Sequence, residues 1–543
     1  MIKYNPIWEC YQLPGIFGAD EWRSAIEECL ERRDCPYHYD IRHTTIRIWH
    51  PDDPEIKVPS SNLTCRNAYR VTRVNFGGLK QETLIGITLA RLVFEPGSTL
   101  PLPFSASELF ARGQYPPALR HEQSLPGIEA LIHFLNQALV TKQLRHYSNY
   151  EVFRAAERII YRFGNGSQSL VELLQKGNFS KNLLSSVKTM QAVRPAAIQL
   201  GISLENVRFP EKAKSCAREI VGVLKDWGCE VSLVELKKDE EMKNFLASES
   251  LERPIILFPL QGKRGDRPPD AEMKRLKYLD FENAAFQLCS TASNPVYSRH
   301  GLAIAILAKA GGSLFVAEPL EFPNFYNSWF VGIDIGTGGF KKGKVVAIVL
   351  TSPTGNLCAH WRSLKNEDET LSPELIADGL SWIVDRAESL SPDRDLYLIR
   401  DGLRPHRESL EFYRTALPNR EFTLIEYAKS GSPLIHDRAR EPEPGTAILP
   451  EASALATLYP CLAPQPGILT ETTKFRVPIN PKSHSLAEIS LLLTALCHSA
   501  TLSYQASKNP SPIQWANGIA SISYTNLQFS GWSHLPNCLK RNK

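Results

Sequence analysis

Two aspartates stand at positions where an open sheet could use them for chemistry. Asp334 lies near the end of an apolar run, SWFVGIDIG (328–336), and Asp401 near the end of another, DLYLIRDG (395–402). In open α/β sheets, ligands bind at strand ends. Between the two runs come KVVAIVL (344–350), a Pro-Thr-Gly turn at 353–355, NLCAHWRS (356–363) and the helical pattern PELIADGLSWIVDRAES (373–389). A strand, a hairpin meander, a helix and a strand in that order set the first and fourth strands side by side, so Asp334 and Asp401 can converge. Two hard oxygen ligands suit Mg²⁺ or Mn²⁺. Two such ions about 3.5–4 Å apart clamp the attacking and leaving oxygens of a phosphodiester. The bland alternative, an Asp capping a turn, fits either residue alone better than both together.

Lys309 is the other conspicuous charge. It interrupts an apolar helical pattern at Ala-Ile-Leu-Ala-Lys-Ala-Gly-Gly (305–312). A lysine there wants either an anion or a snorkelling path for its ammonium, and the sequence fits both. Its neighbours alternate between helix and strand. KAKSCAREIVGVLKDWGCEV (212–231) gives a helix and then a strand, RPIILFPLQ (253–261) a buried strand, AEMKRLKYLDF (271–281) an amphipathic helix and AAFQLCS (284–290) a strand. Such alternation implies a mostly parallel sheet with helices on its faces.

The N-terminal part differs. HTTIRIWH (43–50) and YRVTRVNF (69–76) alternate with the period of half-buried strands. GIEALIHFLNQALV (127–140) and EVFRAAERIIYRF (151–163) carry apolar residues at helical spacing. The division expected is a strand-rich domain over 1–105, a mostly helical linker region over 106–199, and two α/β units over 200–326 and 327–543. Helices at AEISLLLTALCHSA (487–500) and around Gln514–Ser521 belong to the last unit.

Composition narrows the class. With 43% hydrophobic and 22% charged residues in 543, the chain is an ordinary globular protein, not a disordered or fibrous one. No apolar run reaches the roughly 18 residues of a membrane helix, and MIKYNPIWECYQLPG at the start lacks the pattern of a signal peptide. Eleven scattered cysteines without a CxxC pair read as free thiols in a reducing cytoplasm. The expectation is a cytoplasmic chain with no membrane partner. A net charge of +4, from 62 basic and 58 acidic residues, allows a local basic groove for nucleic acid without demanding one.

From about residue 200 to its end the sequence resembles the paired MID and PIWI domains of a prokaryotic Argonaute. The resemblance rests on VGIDIG (331–336), NEDETLSPE (366–374), LIRDGLRP (398–405), EYAKSG (426–431) and NPSPIQWANGIA (509–520), in the family's order. It implies an α/β chain: a MID domain with a Rossmann-like parallel sheet, and a PIWI domain with a ribonuclease-H-like fold after a smaller α+β N-terminal region. By position Asp334 and Asp401 are similar to the family's two catalytic aspartates, Glu369 to its mobile glutamate finger, and Asn517 stands where the family usually has Asp or His. An Asn offers a metal an amide oxygen but no charge.

The MID-like half implies a pocket for the 5′ end of a guide strand, at Lys277, Gln287 and Lys309. Met273 replaces the usual Tyr or Arg four residues before Lys277, which weakens the case for a 5′-phosphate preference. By the same resemblance Lys429, in Ala-Lys-Ser-Gly, contacts the guide backbone. The implied partners are a short guide nucleic acid and a complementary target, read by base pairing rather than by side chains. The implied activity is Mg²⁺- or Mn²⁺-dependent cleavage of DNA or RNA, in defence against foreign nucleic acid. No general-base histidine is needed; His406 and His498 read as structural.

About 200 residues precede the MID-like part, too few for every N-terminal domain of the longer family members, and no PAZ domain is recognisable. The C-terminal Leu-Lys-Arg-Asn-Lys reads as a basic tail. Chains without PAZ commonly act with a separate effector protein, so a guide-loaded sensor that does not cut is the alternative reading. IDIGTGG (333–339) also resembles the phosphate loop of sugar kinases and actin-like ATPases. The roughly 210 residues that follow are too few for two such lobes, and no second Asp-x-Gly-x-x-Thr loop appears.

Overall fold

A computed structural model describes residues 6–14, 20–42, 45–58, 61–74, 83–102, 121–139, 143–175, 179–205, 207–246, 254–260, 285–290, 295–336, 344–363, 370–429, 431–437, 441–451, 453–461, 472–499 and 506–521. The chain divides into two compact units, Met1–Ala155 with Ala428–Arg476, and Ala156–Tyr427 with Val477–Lys543.

The first unit is built on an antiparallel sheet in the order His38–Arg42, Thr45–Trp49, Thr64–Val74, Thr83–Phe94, Cys10–Leu13, Arg145–His146. Alternation decides its faces. Ile46, Ile48, Tyr69, Val71, Ile85 and Ile87 pack against Trp22 and Ile26 of the helix Glu21–Leu30 and against Ile128, Leu131 and Leu135 of the helix His121–Leu139. Trp49, Ala68, Ala90, Leu92 and Phe94 form a smaller cluster on the other face. Antiparallel pairing also joins Thr473–Ile479, Leu455–Tyr459, Thr446–Pro450 and Tyr150–Arg154 in that order.

That last strand corrects an expectation. Glu151–Phe163 was expected as a helix, but it forms the strand Tyr150–Arg154, one 3₁₀ turn at Ala155–Arg158, and the strand Ile159–Phe163. Val152, Phe153, Ile159, Ile160 and Tyr161 are β-branched or aromatic; the first strand pairs with the distant Thr446–Pro450, and the second with the distant Val316–Pro319 and, across a tight hairpin, with Gly166–Ser169. Long-range pairing outweighs a local pattern that fits a helix.

The second unit holds two α/β layers. In the first, strands β1 (Ala197–Ser203), β2 (Glu230–Leu236), β3 (Pro254–Leu260) and β4 (Ala285–Ser290) form a parallel sheet in the order β2-β1-β3-β4. Helices α1 (Pro210–Asp226), α2 (Asp239–Leu246) and α3 (Pro295–Lys309) connect or follow them. Helix α3 stops at Gly311, whose φ of 82° suits a left-handed cap, and the Gly312 N–H returns to the Leu307 carbonyl at 2.9 Å. The strand Val316–Pro319 (β5) follows.

The second layer runs β6 (Ser328–Gly336), β7 (Val345–Thr351), β8 (Leu357–Arg362), α4 (Pro373–Leu390), β9 (Asp395–Asp401), α5 (Leu410–Ala416), β10 (Thr423–Ala428), α6 (Leu486–Cys497) and α7 (Ser511–Ser521). Its strand order is β8-β7-β6-β9-β10, with β6, β9 and β10 mutually parallel and the β6-β7-β8 meander antiparallel. This is the ribonuclease-H-like order expected from the sequence.

Alternation divides the faces here too. Trp329, Val331 and Ile333 of β6, with Val346, Ile348 and Leu350 of β7, pack on Ile376, Leu380 and Ile383 of α4. Ala347 and Val349 face Ala516, Ile519 and Ala520 of α7. His498, buried after α6, pairs its Nδ1 with the Tyr161 hydroxyl at 2.5 Å, in keeping with a structural part.

Candidate functional site

Glycine brings the last helix onto the first strand of the ribonuclease-H-like layer. On β6, Gly332, Asp334 and Gly336 share the face opposite Val331 and Ile333. A methyl on Gly332 would lie 2.2 Å from the Pro512 carbonyl oxygen, and one on Gly336 would lie 2.6 Å from that of Ala520. Helix α7 therefore runs along β6 at backbone contact, and Asp334 sits between its two touching points. Only glycine permits so close an approach.

Asp334 and Asp401 come together as expected. Strands β6 and β9 pair in parallel through Ile333 opposite Arg400, so the next step of the register sets Asp334 opposite Asp401. Neighbouring strands are about 4.8 Å apart. The two carboxylates share a face, because Phe330 and Tyr397, earlier on that face, stack at 5.5 Å. Asp334 is 3% exposed and its Oδ1 accepts the Ile335 N–H at 2.8 Å, whereas Asp401 is half-exposed at the strand end.

Asn517 is exposed on α7, five residues after Pro512 and three before Ala520. The residues of that helix that pack on the sheet are its neighbours Ala516, Ile519 and Ala520. Glu369 lies outside the described residues, and among those described no group of three or more His, Cys, Asp or Glu could hold a metal ion. The donors that the strand register sets side by side are the two hard carboxylates of Asp334 and Asp401. They suit a hard divalent cation and offer nothing to a soft metal.

Behind Asp401 the sheet carries buried charge that the sequence reading did not foresee. Arg400 points to the face of α4 and α5. Its Nε and Nη2 donate to the Glu408 carboxylate at 2.7 and 2.8 Å, and its Nη1 to the Asp401 carbonyl at 2.6 Å. One strand further, Glu426 accepts the Arg404 N–H at 3.0 Å and the Arg404 Nε at 3.2 Å. The available signal was Glu426 itself, a lone carboxylate inside the buried strand TLIEYA.

In the parallel sheet of the first layer, Gln287 of β4 and Lys309 at the end of α3 meet: the Lys309 Nζ donates to the Gln287 Oε1 at 2.8 Å. The residues are half-buried overall, yet burial around the ammonium pushes Lys309 down to about 7. Its place at a helix C-terminus partly favours the charge. Lys277 lies outside the described residues. Lys429, half-buried just after β10, belongs to the other compact unit.

No family model and no curated protein sequence matches the chain. Solved structures do. Marinitoga piezophila Argonaute in complex with 5′ OH guide RNA and target DNA matches with a TM-score of 0.65 and 12% identity, over 94% of this chain and 86% of that one. Kluyveromyces polysporus Argonaute with a guide RNA matches at 0.63 and 10% identity, over 91% and 76%. Drosophila Piwi matches at 0.62 and 12% identity, over 94% and 85%.

Proposed function

We propose that this chain, whose fold is that of an Argonaute, binds a short guide nucleic acid and cleaves a complementary DNA or RNA strand in the cytoplasm, in defence against foreign nucleic acid. The observation that carries the reading is the pair Asp334 and Asp401, side by side on parallel strands beneath a helix that bears Asn517.

In this reading Asp334, Asp401 and Asn517, with Glu369, hold Mg²⁺ or Mn²⁺. Divalent ions held there would supply activation of an attacking water and charge stabilisation for the departing 3′ oxygen. The chain's own part is to hold the ligands still. The Ile335 N–H fixes one oxygen of Asp334, and the contact of α7 with Gly332 and Gly336 fixes the helix that bears Asn517. The guide's 5′ end sits against Gln287 and Lys309, with Lys277 completing the pocket, and Lys429 meets the guide backbone. A Lys309 that ionises near neutrality takes up its proton as the anionic strand arrives.

Sequencing the nucleic acid that copurifies with the full chain tests the guide half of the proposal. A short population of uniform length, lost in Lys309→Glu, is expected. Fragments of random length, equal in both proteins, contradict it.

A further inference from the structure

We propose that Arg400 and Glu408 are positioning residues for Asp401, acting from the opposite face of the sheet; this rests on the metal-dependent reading above. The two side chains are 5% and 0% exposed, and they form one hydrogen-bonded set. Glu408 uses both oxygens twice. Oε1 accepts from Arg400 Nε and from the Tyr413 hydroxyl, each at 2.7 Å, and Oε2 accepts from Arg400 Nη2 at 2.8 Å and the Leu371 N–H at 3.3 Å. The remaining arm of the guanidinium, Nη1, reaches the carbonyls of Asp401 at 2.6 Å and Gly402 at 3.2 Å. Arginine alone can do this, because its planar fork presents donors in two directions at once.

The geometry addresses a mechanical difficulty. Asp401 is the last residue of β9, and Gly402 turns away with a φ of 75°. A carboxylate at a strand end is poorly held by the ladder. Here its own carbonyl and the next are tied to Arg400, the Gly402 N–H is tied to the Tyr427 carbonyl at 2.8 Å, and Arg404 donates to the Glu408 carbonyl. The turn after Asp401 is thus pinned on both sides. Through the Leu371 N–H, the same carboxylate also fixes the residue before the Ser372 cap of α4. Burying two charges is costly, and an apolar pair of similar volume is often equally stable. The pair's use is in the backbone it holds. Groups that orient metal ligands typically change metal affinity by about 10–100-fold when removed.

Mn²⁺ binding by the guide-free full chain, followed by calorimetry and by the Mn²⁺ electron paramagnetic resonance signal, tests this. Removing one charge alone leaves the other unpaired and endangers folding, so the informative variant replaces both, Arg400→Met with Glu408→Leu. Arg400→Lys is the second variant, keeping the charge but losing the fork. The expected result is a folded protein, its melting point lowered in the pair because the buried Tyr413 hydroxyl and Leu371 N–H lose their acceptor, with Mn²⁺ affinity about 10–100-fold weaker in the pair and a weakening of the same sign in Arg400→Lys. Folded variants that bind Mn²⁺ within twofold of the parent overturn the proposal while leaving the metal site standing, provided Asp401→Ala abolishes binding. A parent that binds no Mn²⁺, or an Asp401→Ala that binds as the parent does, overturns the metal reading and this proposal together.

Discussion

Gly332 and Pro512 meet backbone to backbone: a methyl group on Gly332 would lie 2.2 Å from the Pro512 carbonyl carried by the last helix. Neither backbone can yield easily, since β6 is paired on both sides. Gly332→Ala should therefore lower stability by about 1–3 kcal/mol, the usual cost of forcing a methyl into a packed site. Gly301→Ala, where a methyl meets nothing within 4 Å, is the control. Thermal or urea denaturation of the two variants checks the difference.

Lys309 gives a pH prediction with a definite sign. Burial holds its ammonium down to about 7, against 10.5 for an unperturbed lysine. Its folded pKa lies below the unfolded one, so the unfolded chain binds the extra proton between about pH 7 and 10 and stability rises with pH across that window. Guide affinity moves the other way, because an anion needs the charged form. Binding should weaken from pH 6.5 to 8.5, and Lys309→Met should bind weakly with a flatter profile. Fluorescence anisotropy with one labelled guide across the pH series decides it, since the guide's own titration is common to both proteins.

The first unit contains a buried acid. Glu9 is desolvated, which by itself raises its pKa, but hydrogen bonds with His436 at 2.6 Å and from Tyr11, and the His436 charge, outweigh burial and hold it below the usual carboxylate value. Depressed carboxylates contribute stability above the unfolded pKa of about 4.5 and lose it as pH falls through the folded value. Acid unfolding of this unit should begin below pH 4.5. Glu9→Gln should remove that dependence and cost about 3–5 kcal/mol at neutral pH, as when a buried pair is broken. Circular dichroism against pH provides the readout.

In the proposed metal site Asn517 would contribute a neutral oxygen. Mg²⁺ demands near-ideal octahedral ligands, so cleavage should be slow in Mg²⁺ and faster in Mn²⁺, with Asn517→Asp raising the Mg²⁺ rate. If both Asn517→Asp and Asn517→Ala leave the rates unchanged, Asn517 is no ligand.

Much of the second unit was legible in the sequence because its strands are long apolar runs closed by a charge or a glycine. SWFVGIDIG, KVVAIVL and DLYLIRDG could be laid in order, and the order alone brought Asp334 to Asp401. Glu151–Phe163 was misread because its apolar spacing fits a helix while two of its three strand partners, 316–319 and 446–450, are distant; the third, 166–169, lies across a hairpin whose Gly164-Asn165-Gly166 turn was the signal available. The Arg400–Glu408 pair was invisible for another reason: a charge next to a turn reads as solvated until the burial around it is known. Gly332 and Gly336 read only as part of a motif, since their use depends on a helix almost 200 residues later. The resemblance read from residue 200 onward stopped short of the fold match, which covers 94% of the chain.

The central claim is that Asp334 and Asp401 act together in guide-directed cleavage. The direct measurement loads the full chain with a defined guide, adds labelled complementary and non-complementary targets with Mn²⁺, and compares the parent with Asp334→Ala and Asp401→Ala. The account predicts one cut at a fixed distance from the guide's 5′ end, in the complementary strand only, with both variants reduced by at least about a hundredfold while still binding guide and target. Binding of guide and target by the parent without any cut, or cutting that survives either substitution, contradicts it.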